Sequence, residues 1–167
     1  MQQLRRALEP VKAPGGGWQR RSADSLAAFY LSRTSNIHRA LLAESDSLFL
    51  SRAQTAALQR NDSAYSAEVR GMYVALGQFL AGRPEGEPGK VELDSVAKVE
   101  KAYWKAFWRQ PEIADSVVTP TQRELFPMLR NMVATPMKDR ENSQWQFGYP
   151  VPFDPKANQR PVPRRGD

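Results

Sequence analysis

The feature that most constrains this chain is a long run of apolar residues spaced by three and four: Leu58, Tyr65, Val69, Met72, Tyr73, Leu76, Phe79 and Leu80. At 3.6 residues per turn these positions fall on one face of a helix, a spacing that no strand reproduces. The start is marked as clearly as the face. Ser51 followed three residues later by Gln54 is a capping box, in which each side chain satisfies a backbone amide that the first turn leaves unpaired. Gly82 is a natural stop. The spacing therefore predicts an amphipathic helix of about thirty residues from Arg52, with Gly71 and Gly77 as soft points or sites of close packing. The Tyr/Met/Phe stripe reads as core rather than as a ligand cage.

The remaining elements follow from similar signals. Leu26, Phe29, Tyr30 and Leu31 make a short helical patch after Asp24, and Ser35 or Asn36 can cap a helix carrying Ile37, Leu41, Leu42 and Leu48. Residues 82–90, GRPEGEPGK, form a loop. Glu92 or Asp94 favours the start of the next helix, whose buried stripe is Val96, Val99, Tyr103, Ala106 and Phe107, and Pro111 ends that helix or opens a short new one. Thr119, Pro120 and Gln122 then start a further helix with Leu125, Leu129, Met132 and Val133 on one face, strained or kinked at Pro127 and finished before Pro136. The prediction is an all-α fold: a small antiparallel bundle of about four helices over residues 23–134. A chain of 167 residues can bury such a core without a staple.

Both ends differ from this body. The formal charge of +6 belongs to them: residues 1–22 carry five basic groups against Glu9, residues 135–167 carry six against four acidic ones, and the stretch between sums to zero. Pro10, Pro14 and Gly15–Gly17 make the first 22 residues read as an extended basic arm. The last 33 hold six of the thirteen prolines, and Trp145, Phe147, Tyr149, Val151 and Phe153 alternate strictly, as in an edge strand or a ribbon laid in a groove. A neutral body with basic ends argues against a nucleic-acid platform and for arms that meet an acidic partner or anionic lipid.

Candidate partner-binding residues are Trp18, Arg20 and Arg21 in the N-terminal arm, and Trp145, Phe147, Tyr149 and Phe153 in the tail. Trp104 and Trp108, four residues apart and interleaved with Lys101, Lys105 and Arg109, either present an aromatic docking face or complete the core. With no cysteine and the single histidine His38, thiol chemistry, disulfides and multi-imidazole zinc sites are excluded, and His38 reads as a surface or core-edge residue. No nucleophile sits beside a base, and no glycine loop cradles a phosphate. No catalytic residue, cofactor or metal is expected. No window is apolar and long enough to span a bilayer, and residues 1–22 never reach the apolar core of a signal peptide.

The two cap signals are also a repeat. Leu50-Ser51-Arg52-Ala53-Gln54 and Val118-Thr119-Pro120-Thr121-Gln122 share the pattern apolar, Ser/Thr, any, any, Gln, 68 residues apart. This resembles the LTxxQ motif that occurs twice in the Spy/CpxP-like family of periplasmic helical proteins. Ser stands for Thr in the first copy and Val for Leu in the second. The context, DSLFLSRAQTAAL and DSVVTPTQREL, is also similar to helical C-terminal regions of TonB-dependent-receptor-like or carboxypeptidase-regulatory-like outer-membrane proteins. The similarity covers roughly residues 36–134. It implies an all-helical, noncatalytic envelope protein that binds others through helical surfaces, and export, which an excised piece of a longer precursor would reconcile with residues 1–22. The expected function is an accessory subunit docked by its arms on the periplasmic face of a larger membrane complex; the alternative is a Spy-like chaperone or envelope-stress binding protein. A cytoplasmic location is the other possibility.

Overall fold

Ser51 nucleates the central helix as its sequence predicts: its Oγ accepts the Gln54 N–H at 3.2 Å, and Gln54 Oε1 accepts the Ser51 N–H at 2.9 Å. The computed structural model describes residues 2–134 of the chain. In order these form α1 (Gln2–Leu8), β1 (Val11–Lys12), β2 (Trp18–Gln19), α2 (Ala23–Leu31), α3 (Ile37–Ala43), α4 (Arg52–Ala81), α5 (Lys90–Asp115), α6 (Pro120–Leu125) and α7 (Pro127–Ala134). The fold is mostly helical, and the described residues hold seven helices rather than about four. The expected extended tail at 135–167, with Trp145, Phe147, Tyr149 and Phe153, lies outside them.

The 30-residue α4 and the 26-residue α5 are the frame. Their pairings, Glu68 with Arg109 and Tyr73 with Tyr103, run in opposite sequence directions, so the two helices are antiparallel. Glu92, rather than Asp94, serves the start of α5: its Oε2 accepts the Gly89 N–H at 2.9 Å. Pro111 does not end α5. The helix continues to Asp115 with Pro111 fully buried, because packing around Gln110, Pro111 and Ala114 outweighs the hydrogen bond a proline cannot donate. Pro127 acts more strongly than a kink. It separates α6 from α7 by holding Phe126 at φ −115, ψ 86, outside the helical region, as expected for a residue before proline.

Ser22 caps α2, whose backbone approaches α4 more closely than a side chain permits. A Cβ on Gly77 would stand 2.4 Å from the Ala23 carbonyl oxygen, whereas one on Gly71 would meet nothing within 4 Å. Only Gly77 is thus a packing requirement. Tyr30 stacks on Tyr73 at 5.6 Å and 3°, and Tyr73 lies 6.0 Å from Tyr103, a column of rings that ties α2, α4 and α5 together. Leu26, Leu41, Leu58, Leu80 and Leu129 fill the core around it.

The N-terminal residues are not an extended arm. α1 buries Leu4 and Ala7 completely in the shared core, and β1 pairs antiparallel with β2. The turn closes through Gly16 N–H to Ala13 O at 2.9 Å with Gly16 at φ 89, so Gly15–Gly17 shape a hairpin rather than a linker. Arg5 pairs with Glu87 at 3.2 Å and Arg20 donates to the Arg83 carbonyl at 2.8 Å, fastening the segment to the α4–α5 loop. A sequence reading weighs glycine and proline locally and cannot see that two apolar residues, Leu4 and Ala7, have a core to enter. No helix among the described residues is long and apolar enough to cross a membrane.

Candidate interaction surface

A dense knot of hydrogen bonds forms at the start of α3. Asn36, not Ser35, is its N-cap: Asn36 Oδ1 accepts the Arg39 N–H at 3.2 Å. Asn36 Nδ2 donates to Asp62 Oδ1 at 2.6 Å, and the same oxygen accepts from Arg39 at 3.1 Å and Ser66 at 3.0 Å. The Tyr103 hydroxyl accepts the Ser35 N–H at 3.0 Å while the Tyr65 hydroxyl donates to the Ser35 carbonyl at 3.1 Å. Ile37 N–H is taken by Gln110 Oε1 at 3.0 Å. Burial raises the pKa of both tyrosines, which keeps them neutral and able to donate.

This knot floors an open groove of about 680 Å³, walled by Leu31, Ile37, Ala40, Val69, Phe107 and Met128. Because Ser35, Asn36 and Ser66 spend their polar atoms within the knot, the groove offers mainly apolar surface. Arg39 and Arg70 stand at its edge. Arg39 is held by Asp62; among the described residues Arg70 enters no ion pair. The size falls within the range of ligand-binding clefts, though the groove is open along one side.

The two capping boxes meet at the N-terminal end of α4. Gln54 Nε2 donates to Gln122 Oε1 at 2.8 Å and to the Val117 carbonyl at 3.0 Å; Gln122 Nε2 donates to the Leu48 carbonyl at 3.0 Å, to the Phe49 carbonyl at 3.3 Å and back to Gln54 Oε1 at 3.3 Å. Each glutamine therefore closes its own helix start and also reaches across to the loop that leads into the other box. Beside this clasp Phe49 holds φ 52, the left-handed region, with 83% of its surface exposed. Phe49 is the only non-glycine with positive φ among the described residues. That conformation costs roughly 1–2 kcal/mol for a residue with a Cβ.

His38 is not at the core edge but inside it, 1% exposed, with Nδ1 unpartnered. It lines a cavity of about 150 Å³ with Gln110, whose Nε2 is also buried and unpartnered, and with the Glu68–Arg109 pair. Burial lowers the His38 pKa, and the Asp62 charge opposes that shift.

The predicted partner-binding residues separate. Trp18 is 74% exposed on β2, and Arg20 is exposed but donates to Arg83. Arg21 lies 5.6 Å over the Phe29 ring. Trp104 and Trp108 pack half-buried against the core, Trp104 edge-on to Tyr103 and to Phe107, and Trp108 edge-on to Phe107 at 5.1 Å. Trp145, Phe147, Tyr149 and Phe153 lie outside the described residues. Sequence reasoning did not single out Phe49, the groove or the glutamine clasp. The matching glutamine at the third position of both boxes was the available signal for the clasp. Among the described residues no group of three or more His, Cys, Asp or Glu is placed to hold a metal ion. Comparison with protein-family models, with curated proteins and with solved structures finds no match to this chain.

Proposed function

We propose that this chain is a noncatalytic interaction subunit, an accessory component docked on the periplasmic face of a larger membrane complex. Trp18 carries the reading. Its indole is 74% exposed, yet it stands on a paired hairpin fastened by Arg20 rather than on a loose end. An aromatic ring held in water by an ordered element forgoes its burial energy and has the character of an interface anchor. Lys12 is its cross-strand partner, and Arg20 and Arg21 follow it, so the anchor is flanked by positive charge suited to an acidic protein surface or anionic lipid. The alternating aromatics at 145–153 support a second contact of the same kind.

A second reading, a Spy-like periplasmic chaperone or envelope-stress binding protein, is favoured by the open apolar groove, where unfolded segments could rest. A photo-reactive side chain at position 18 separates the two readings in native membranes. The subunit reading expects one discrete crosslinked product that a control at exposed Glu85 does not form. A smear of many products from a second photo-reactive side chain, placed at Met128 in the groove, would favour the chaperone, and no product at position 18 would reject docking through Trp18.

A further inference from the structure

We propose that Arg20, Arg21 and Arg83 form a binding site for a phosphate-type oxyanion. Two of these residues follow β2 and the third follows α4, yet all three line one small pocket, together with Leu8, Leu26 and Leu80. No carboxylate shares that wall. The acidic residues nearest in sequence, Glu9, Asp24 and Glu85, are exposed, and none of them pairs with the three arginines among the described residues. Three guanidiniums gathered at one pocket repel one another, and an anion placed among them replaces that repulsion with attraction.

The cluster is built into the fold rather than scattered over its surface. Arg20 Nη2 donates to the Arg83 carbonyl at 2.8 Å, Arg83 Nη2 donates to the Gly86 carbonyl at 2.6 Å, and Arg21 lies over the Phe29 ring. The Nε–H groups of Arg21 and Arg83 are shielded from solvent and have no hydrogen-bond partner among the described residues. A guanidinium can only donate, so what these groups lack is an acceptor. A tetrahedral oxyanion supplies several acceptor oxygens and the opposite charge together, the combination that arginine forks match best. Size narrows the choice further. The pocket measures about 20 Å³, room for about one water-sized group, so one oxygen of the anion enters and the rest stays at the mouth. A phosphate group fits that description, whether it is free in solution or carried on a lipid headgroup. The site stands whether or not Trp18 docks.

Nuclear magnetic resonance of the arginine Nε–H groups in the full chain, titrated with inorganic phosphate at an ionic strength held constant with chloride, tests the proposal. The Arg21 and Arg83 signals are expected to shift and saturate in the millimolar range, and chloride alone is expected to leave them in place. Arg21→Gln and Arg83→Gln should each weaken phosphate binding about fivefold or more, and Arg83→Lys, which keeps the charge but not the fork, should weaken it as well. Arg6→Gln removes the same charge from the exposed face of α1 and should change binding less than about twofold. Phosphatidylglycerol vesicles then identify the source. Vesicles that displace phosphate assign the site to a headgroup, and phosphate binding unaltered by them assigns it to a soluble phosphate. Signals that ignore phosphate, signals that move as far with chloride, or binding weakened equally by Arg6→Gln would overturn the proposal.

Discussion

At Gly77 the backbone of α2 lies so near that a single methyl group decides the packing. A Cβ 2.4 Å from a carbonyl oxygen forces α2 away from α4, so Gly77→Ala should destabilise the protein by about 1–3 kcal/mol. Gly71→Ala, on the exposed face of the same helix, should stabilise it by about 0.5–1 kcal/mol. Urea unfolding of the two variants reads both signs. His38 gives a pH prediction. Its folded pKa lies below the ordinary 6.5, so the unfolded chain takes up the proton first as pH falls. The stability of the neutral, buried imidazole is therefore complete above 6.5 and declines as pH drops below it toward the folded-state value. Wild type should lose stability between one pH unit above and one below 6.5 that His38→Gln does not lose. Equal losses would mean that the imidazole titrates alike in both states. The sequence shows a glycine in a helix and a lone histidine, but not which glycine faces a backbone or that His38 turns inward. Those facts depend on α2 and α5, far along the chain.

The helix starts were the most legible elements, because a capping box is local chemistry: Ser51 with Gln54, Thr119 with Gln122, and Asn36 before α3 are all present. The second use of the two glutamines was not legible, since it requires bringing together positions 68 residues apart. Gln54→Ala or Gln122→Ala alone should cost about 1–3 kcal/mol, each leaving loop carbonyls unpaired, and the double variant should cost less than the sum by about 1 kcal/mol or more. Strict additivity in chemical denaturation would mean that the boxes are two independent caps. The proline readings were half right for one reason. Pro127 acts on its neighbour's dihedrals, which is local, whereas Pro111 is overruled by burial, which is not.

The predominantly helical character of the described residues followed from periodicity and caps, while the role of the N-terminus did not. Local composition could not tell a glycine-rich hairpin anchored by Leu4 and Ala7 from a solvated arm. The correction changes the functional picture: the proposed anchor Trp18 is presented by an ordered part of the helical unit. Hydrogen exchange with mass spectrometry, on the protein alone and in the membrane-associated assembly proposed for it, tests this most directly. Amides of α1 should be protected in both samples. The hairpin around Trp18 should exchange quickly when the protein is alone and slow markedly in the assembly, with the interior of α4 unchanged. Equal exchange of the hairpin in both samples would contradict docking through Trp18, and an unprotected α1 in the isolated protein would contradict the fold on which it rests.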